Sequence, residues 1–323
     1  MIHLVQAEWL KLTRRPMTWI LLGLFLVLLA FNSLGWFLFV ALHDGTFTGG
    51  TTRIQILDDV QVNQLRLQLR FPGVFGDVLG YVNSIGGVLA MVLAAAAVGS
   101  EYGWGTLRLH LARHPRRGRY LIGKIITLLL VILAGMVIAL LIGSLLGLLL
   151  GSILGNVGSI TPGDLLLLLP GILRALYVIL PYILFTIAIT IIGRSVLAGV
   201  AGGVLFLVLD GGAGALAFVP NLGIPLLTFI YYLFLQPNIN ALIILHRSSY
   251  GMDASAITGL STEGLPPPWQ AALMIALYSG IFFCLCLPLI HPARCGRGRV
   301  GYACPFAQYA ILISARYIQS IAH

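Results

Sequence analysis

Long runs of uncharged apolar residues recur along this chain from one end to the other, and they restrict its possible folds more than any other feature. A hydrocarbon layer is about 30 Å thick and needs roughly 20 apolar helical residues, because no water is present to satisfy backbone amides. The composition agrees, since 59% of the residues are hydrophobic and only 9% are charged. The sequence therefore predicts an all-α integral membrane protein.

Six of these runs are assigned as membrane-spanning helices. The stretch 165–219 is too long for one crossing, and Arg194 interrupts it. A central arginine costs roughly 2.5 to 3.5 kcal/mol in a bilayer, so we expect Arg194 in a short turn and Arg174 before the fourth helix. Pro181 is expected to kink that helix. The predicted spans are 17–42, 78–98, 125–150, 175–192, 195–213 and 269–290.

A further uncharged run, 221–245, is either a seventh span or a pair of short helices that dip into the outer leaflet. Pro225 and Pro237 favour short helices. Cytoplasmic loops carry an excess of Lys and Arg, and six spans place 14 of the 19 basic residues there, against 11 for seven spans. We therefore favour six spans, outer re-entrant helices, cytoplasmic termini and a location in the cell membrane. The inner basic residues are then Lys11, Arg14, Arg15, Arg108, Arg113, Arg116, Arg117, Arg119, Lys124, Arg194, Arg294, Arg297, Arg299 and Arg316.

The first 15 residues combine apolar side chains with charges. Glu8, Lys11, Arg14 and Arg15 are interspersed with leucines and a tryptophan. This composition predicts an interfacial helix whose cations face anionic headgroups of the lipid bilayer. The first span is too long for a cleaved signal and is expected to remain as an anchor.

Catalytic and metal-binding patterns are weak or incomplete. The run 118–125 matches a P-loop except that Ile125 replaces the Ser or Thr that binds magnesium. His110 and His114 are spaced like ligands on one helical face, but no Glu lies between them. The spacing of the four cysteines resembles no zinc framework. We therefore expect no catalytic residue, metal or cofactor on this chain, and no nucleic-acid partner.

Small residues recur every four positions along the third span. This spacing forms a ridge without side chains that lets another helix approach closely, and the fifth span repeats it. The ridge predicts a close neighbour, either within the chain or across a dimer seam. The predicted packing glycines are Gly135, Gly143, Gly147, Gly151, Gly199 and Gly203.

The segment between the second and third spans, 99–120, carries the most specific pattern. An acid, Glu101, is followed by a glycine-flanked turn and a basic stretch. This arrangement favours a short helix along the inner membrane surface, and the alternative is a basic loop that only sets topology.

The run Glu-Tyr-x-x-Gly-Thr-Leu-Arg over 101–108, with Gly123-Lys124 downstream, resembles the membrane subunits of type-2 ABC exporters. The opening Ala-Glu-Trp-Leu-Lys-Leu over 7–12, followed by two arginines, also resembles theirs. The resemblance implies a connecting helix over 1–15, a six-span domain over 16–290 and a cytoplasmic tail over 291–323. It also implies a coupling segment that docks on a separate ATPase, formed by Glu101, Tyr102, Gly105, Thr106, Leu107 and Arg108.

The resemblance further implies how the subunit works. It would form the pathway of an ATP-driven exporter as a homo- or heterodimer of permeases, with ATP and Mg²⁺ bound on the partner ATPase. Glu101 would position the coupling helix by pairing with Lys11, Arg14 or a loop arginine. The rival hypotheses are a secondary transporter and a membrane-embedded enzyme, each acting without an ATPase. A gene for an ATPase next to the gene for this chain would favour the exporter over both rivals.

Overall fold

Helices form all the regular secondary structure in the part of the chain that the computed structural model describes, residues 2–45, 58–103, 117–155, 157–214, 216, 219–252 and 264–290. One isolated β-bridge joins Phe71 and Gly158. The helices are α1 (Ile2–Thr13), α2 (Pro16–His43), α3 (Asp59–Leu69), α4 (Gly73–Tyr81), α5 (Gly87–Gly103), α6 (Arg117–Ile153), α7 (Pro162–Gly193), α8 (Val196–Gly214), α9 (Pro225–Leu233), α10 (Leu235–Ser248) and α11 (Pro268–Ile290). A π-helical turn, Val82–Gly86, connects α4 to α5, and a 3₁₀ turn, Val219–Leu222, precedes α9.

Five helical stretches of the described chain are long and apolar enough to cross a membrane. They coincide with five of the six predicted spans, and the remaining predicted span, 195–213, falls on the shorter apolar helix α8. The prediction of an all-α, multi-pass membrane protein is confirmed. The five stretches are Pro16–His43, Gly73–Tyr102, Gly118–Ile153, Pro162–Gly193 and Pro268–Leu287.

Helices α9 and α10 cover the run that was open between a seventh span and a re-entrant pair. Their axes differ in direction by 80° across Phe234, which fits either a broken span or a re-entrant loop. If the bent pair counts as one span, the long candidates number six in the described chain.

The predicted start of the fourth span is wrong. Helix α7 begins at Pro162, because Thr161 caps it and exchanges hydrogen bonds with Asp164, and it continues through Arg174 to Gly193. Arg174 is therefore inside the helix, not before it. With 32 residues, the helix is about 48 Å long, well beyond a hydrocarbon thickness of about 30 Å. That excess length leaves room for a half-buried arginine away from the bilayer centre.

The predicted turn at Arg194 is confirmed. Arg194 ends α7 in the left-handed backbone conformation, with φ 48°, and α8 starts two residues later. The tight turn lets α8 pack back along α7. Aromatic side chains of α7, α8 and α11 then meet, with Phe206 stacked on Phe185 at 4.2 Å and both close to Phe282.

Two of the long helices form the interior of the bundle. The most apolar windows of α7 and of the α4–α5 stretch are 67% and 61% buried, whereas those of α2, α6 and α11 are 28 to 33% buried. The outer three therefore present apolar faces to whatever surrounds the bundle. The α4–α5 stretch also runs from one end of the bundle, at Asp77, to the other, at Glu101, about 36 Å away at 1.5 Å per residue.

Candidate functional site

Glu101, in the last turn of α5, is completely buried at the centre of a polar cluster. The ammonium group of Lys11 contacts its Oε1, and that of Lys124 lies 2.6 Å from its Oε2. The hydroxyl of Tyr120 donates a hydrogen bond to Oε2 as well. Both carboxylate oxygens are thus satisfied by partners from α1 and α6.

A second acid completes this cluster. Glu8 lies 3.7 Å from Lys11 and 3.8 Å from Lys124, so two carboxylates meet two ammonium groups. The Lys124 side chain is only 3% exposed and its Nζ lies 5.4 Å from the centre of the Tyr120 ring. We call Glu8, Lys11, Glu101, Tyr120 and Lys124 the Glu101 cluster. Opposite charges in equal number offset the desolvation of such a buried group.

The bend between α1 and α2 is fastened to the same end of α5. Arg15 donates a hydrogen bond to the hydroxyl of Ser100 at 2.9 Å, and the indole of Trp19 donates to the carbonyl of Thr13 at 2.7 Å. Glycine at position 123 also allows α1 to approach α6, because a Cβ there would collide with the Leu4 side chain. Helix α1 is therefore packed against the bundle and not extended from it.

The sequence-predicted coupling residues divide into two groups. Glu101 and the half-buried Tyr102 lie in the described end of α5. The remaining members, at 105–108, lie outside the described residues. Both ends of the segment 104–116 are nevertheless fixed, because Glu101 precedes it, Tyr120 and Lys124 follow it, and these three side chains are in contact.

The predicted connecting-helix residues also separate. Glu8 and Lys11 belong to the Glu101 cluster, Arg15 reaches Ser100, and Arg14 is exposed. The expected pairing of Glu101 with Lys11 is observed. Its second lysine partner and the tyrosine were not predicted. Their spacing of four at the start of an apolar helix, which places both on one face, was the available signal.

The P-loop near-match is not a loop. Residues 118–125 form the first turns of α6, so their backbone belongs to a helix and not to a loop. A phosphate-binding loop needs a turn of free backbone N–H groups. This segment instead supplies Tyr120 and Lys124 to the cluster.

Two glycines of the third-span ridge face helix α4. A Cβ at Gly143 would come within 2.3 Å of a methyl group of Val78, and one at Gly147 within 2.6 Å of a methyl group of Val74. These positions therefore pack within the chain. Other ridge members differ, since Gly151 is buried and a Cβ at Gly135 would meet only an ordinary contact with Leu22.

The fifth-span glycines face the preceding helix. A Cβ at Gly199 would collide with the hydroxyl of Thr190, and one at Gly203 would come within 2.4 Å of the hydroxyl of Thr186. The two glycines thus let α8 lie close to α7. The spacing predicted the close neighbour, and the structure identifies it as a helix of the same chain.

At the other end of the bundle, Asp210 organises the start of α10. It is 6% exposed and accepts hydrogen bonds from the backbone N–H groups of Leu235 and Gln236, at 3.1 and 3.2 Å. The Tyr182 hydroxyl donates to its other oxygen at 2.7 Å. A carboxylate at a helix N-terminus satisfies otherwise unpaired donors and interacts favourably with the helix dipole. This contact was not predicted, because it joins residues 25 and 26 positions apart in the chain.

The described helices form a multi-pass bundle with a buried charge cluster at one end and bent helices at the other. The family model described as ABC-2 family transporter protein matches residues 2–287. The chain therefore belongs to the ABC-2 transporter family and is a membrane-embedded permease subunit of an ABC transporter.

One curated relative matches part of the chain. The uncharacterized protein YhcI of Bacillus subtilis (strain 168) is 27% identical over 162 residues, which cover 40% of this chain and 49% of the relative. The matched part thus spans about half of that protein. No solved structure matches the chain.

Proposed function

We propose that this chain is the permease of an ATP-driven exporter and couples to a separate ATPase subunit through the segment 99–120. The observation that supports it is the Glu101 cluster, which holds both ends of 104–116 at one carboxylate. A force applied by a docked partner to that segment would reach α1, α5 and α6 together. A loop that only set topology would not need a fully buried acid at its base.

In this proposal α1 is the connecting helix at the cytoplasmic interface, and α9 and α10 are re-entrant helices of the outer leaflet. Both termini are cytoplasmic, and two permeases assemble with two ATPases, which carry ATP and Mg²⁺. The bend at Phe234 is compatible with a re-entrant pair, and the proposal is supported by the capping of α10 by Asp210, which gives that helix its own buried start. Backbone that leaves a helix within the membrane has to be buried against protein or line a cavity.

The first experiment is an affinity purification of the chain from its native membrane in mild detergent, followed by an ATPase assay of the co-purifying proteins. A stoichiometric ATPase subunit is the expected result. A chain that purifies alone or only with itself would contradict coupling and favour a secondary transporter.

The second experiment tests the coupling segment itself. Glu101→Ala and Gly105→Trp are expected to abolish transport-stimulated ATP hydrolysis in the reconstituted complex while the chain still inserts. Gly143→Ala is the matched control, because it disturbs the packing of α6 on Val78 without touching the Glu101 cluster. If Gly143→Ala reduces coupling as much as the other two, or if Glu101→Ala and Gly105→Trp leave transport unchanged, the assignment fails.

A further inference from the structure

A cavity of about 460 Å³ opens between the π-helical turn, α7, α8 and α10, away from the Glu101 cluster. Small-molecule sites typically enclose about 300 to 1,000 Å³. The size is therefore suitable for one ligand of moderate length. The residues that form it come from six elements, α4, the π-helical turn, α5, α7, α8 and α10, so movement of any of these would change its shape.

Arg247 gives the cavity a positive charge, which the buried carboxylate of Asp77 attracts from beyond ion-pair distance. The Arg247 guanidinium lies on the bare backbone of Gly80, where a Cβ would be 2.5 Å from Nη2. No carboxylate of the described residues lies within 4.0 Å of it, and Asp77, one turn before Gly80, contacts Asn32 at 3.4 Å. Arg247 Nε is buried without a hydrogen-bond partner. A cation held in this way is available to an anionic ligand.

The π-helical turn places further polar groups beside this arginine. Asn83 and Ser84, both in the turn, line the cavity, and the Asn83 side-chain oxygen is buried without a partner. Gln236 and Asn240 of α10 line the cavity as well and hydrogen-bond to each other at 3.1 Å. Single π turns within α-helices are frequent at functional sites, because they redirect side chains. The Asn83 oxygen only accepts hydrogen bonds, so an anion at this position would be bound by the side-chain N–H groups of Asn83 and not by that oxygen.

Most of the remaining cavity lining is apolar. It includes the aliphatic side chains Val88, Val178, Ile179, Leu207, Ile239 and Ile243. A ligand that matched both kinds of lining would combine a hydrocarbon body with one anionic head.

We propose that this cavity binds an amphipathic anion, with its carboxylate or phosphate at Arg247 and Asn83 and its apolar body against α7, α8 and α10. That this ligand is the cargo rests on the proposed transport function, whereas binding itself does not. Cationic and neutral molecules of equal length would leave the arginine without an ion-pair partner.

The binding test uses the full chain in nanodiscs of phosphatidylcholine and radiolabelled dodecanoate as the probe. Dodecanoate should bind and be displaced by dodecyl phosphate, but not by dodecyltrimethylammonium. Arg247→Gln should raise the Kd by about tenfold or more, as expected for loss of a charged hydrogen-bond partner. Arg66→Gln is the charge-matched control, because Arg66 pairs with Asp44 outside this cavity.

Two neighbouring glycines of α8 give a matched steric test. Gly211 lines the cavity, Gly212 is not among the cavity residues, and a Cβ at either position would meet nothing within 4 Å. Gly211→Leu should therefore weaken dodecanoate binding about fivefold or more, while Gly212→Leu should leave it unchanged. Equal effects of the two glycine variants, or binding that Arg247→Gln does not alter, would overturn the site.

Transport is measured separately, as ATP-dependent movement of dodecanoate by the reconstituted complex with its ATPase. Arg247-dependent movement supports the cargo assignment. Arg247-dependent binding without ATP-dependent movement would overturn that assignment and leave the site in place. Absence of an ATPase partner would overturn the proposed function without affecting the binding result.

Discussion

The two charged regions of this bundle are organised in opposite ways. At the Glu101 cluster two acids and two lysines neutralise one another, and the central carboxylate is fully buried and fully hydrogen-bonded. Around Arg247 no described carboxylate lies within ion-pair distance, polar atoms lack partners, and an open volume adjoins them. The first arrangement stabilises the fold and joins helices, whereas the second is suited to receive a ligand. One chain thus separates a rigid connection from an adaptable cavity.

The largest expected effect comes from removing the central acid of the closed region. Glu101→Ala leaves Lys11 and Lys124 in a buried cluster with Glu8 alone. Breaking one side of a buried ion pair costs about 3 to 5 kcal/mol, because the remaining charge stays desolvated. The free energy of unfolding in mixed detergent–SDS titrations should fall by about this amount.

Glu101→Gln is the isosteric control for that variant. It keeps side-chain volume and a hydrogen-bond acceptor for Tyr120 but removes the charge, so it should remain destabilising. If both Glu101 variants unfold like the wild type, the cluster does not stabilise the bundle and the contrast with the Arg247 region is lost.

The second prediction separates the two lysines of the cluster. Lys124 is 3% exposed and contacts both acids, whereas the Lys11 side chain is 28% exposed. Lys124→Ala should therefore lower the free energy of unfolding by about 2 to 4 kcal/mol, close to a buried pair, and Lys11→Ala by about 1 kcal/mol. The same SDS titration measures both. An equal loss, or a greater loss at Lys11, would show that burial does not set the strength of this cluster.

Much of the bundle was predictable from the sequence, because the bilayer requires long apolar helices. The run lengths located the spans, and the cost of a central arginine located the turn at Arg194. The start of α7 was missed, since Arg174 was taken as a boundary although Thr161 and Asp164 form a helix-capping pattern just upstream. Local capping chemistry outweighed the charge rule there.

The sites were less predictable, because they depend on contacts between distant segments. Glu101 was identified as a lone inner acid followed by a glycine-flanked turn, and its pairing with Lys11 was among the options considered. Tyr120 and Lys124, which contact Glu101, follow it by 19 or more positions, on the far side of the segment 104–116. The cavity at Arg247 has no local pattern at all, because six elements contribute to it. Tertiary packing alone brings them together.

The third prediction concerns Asp210, whose hydrogen-bond partners Tyr182 and Gln236 line the cavity. Asp210→Ala removes the cap of α10 and the partner of Tyr182, and loss of a helix N-cap costs about 0.5 to 2 kcal/mol. The free energy of unfolding should fall by about 2 kcal/mol, less than for Glu101→Ala. Asp210→Asn, which retains an acceptor oxygen, should recover about half of the loss. A change as large as that of Glu101→Ala would mean that both ends of the bundle are held equally firmly.

The smallest expected effect is at the charge that defines the open region. Arg247→Gln removes no ion pair with a described carboxylate and keeps the aliphatic stem against Gly80. The free energy of unfolding should therefore change by less than about 1 kcal/mol, because only the longer-range attraction to Asp77 is lost. The decisive quantity is the difference in the free energy of unfolding between Arg247→Gln and Glu101→Gln in the same titration. Each variant removes one charge, and the two charges lie near opposite ends of the α4–α5 stretch. A loss at Arg247 equal to that at Glu101 would mean that Arg247 is a structural residue, and the site would then have no free cation to offer a ligand.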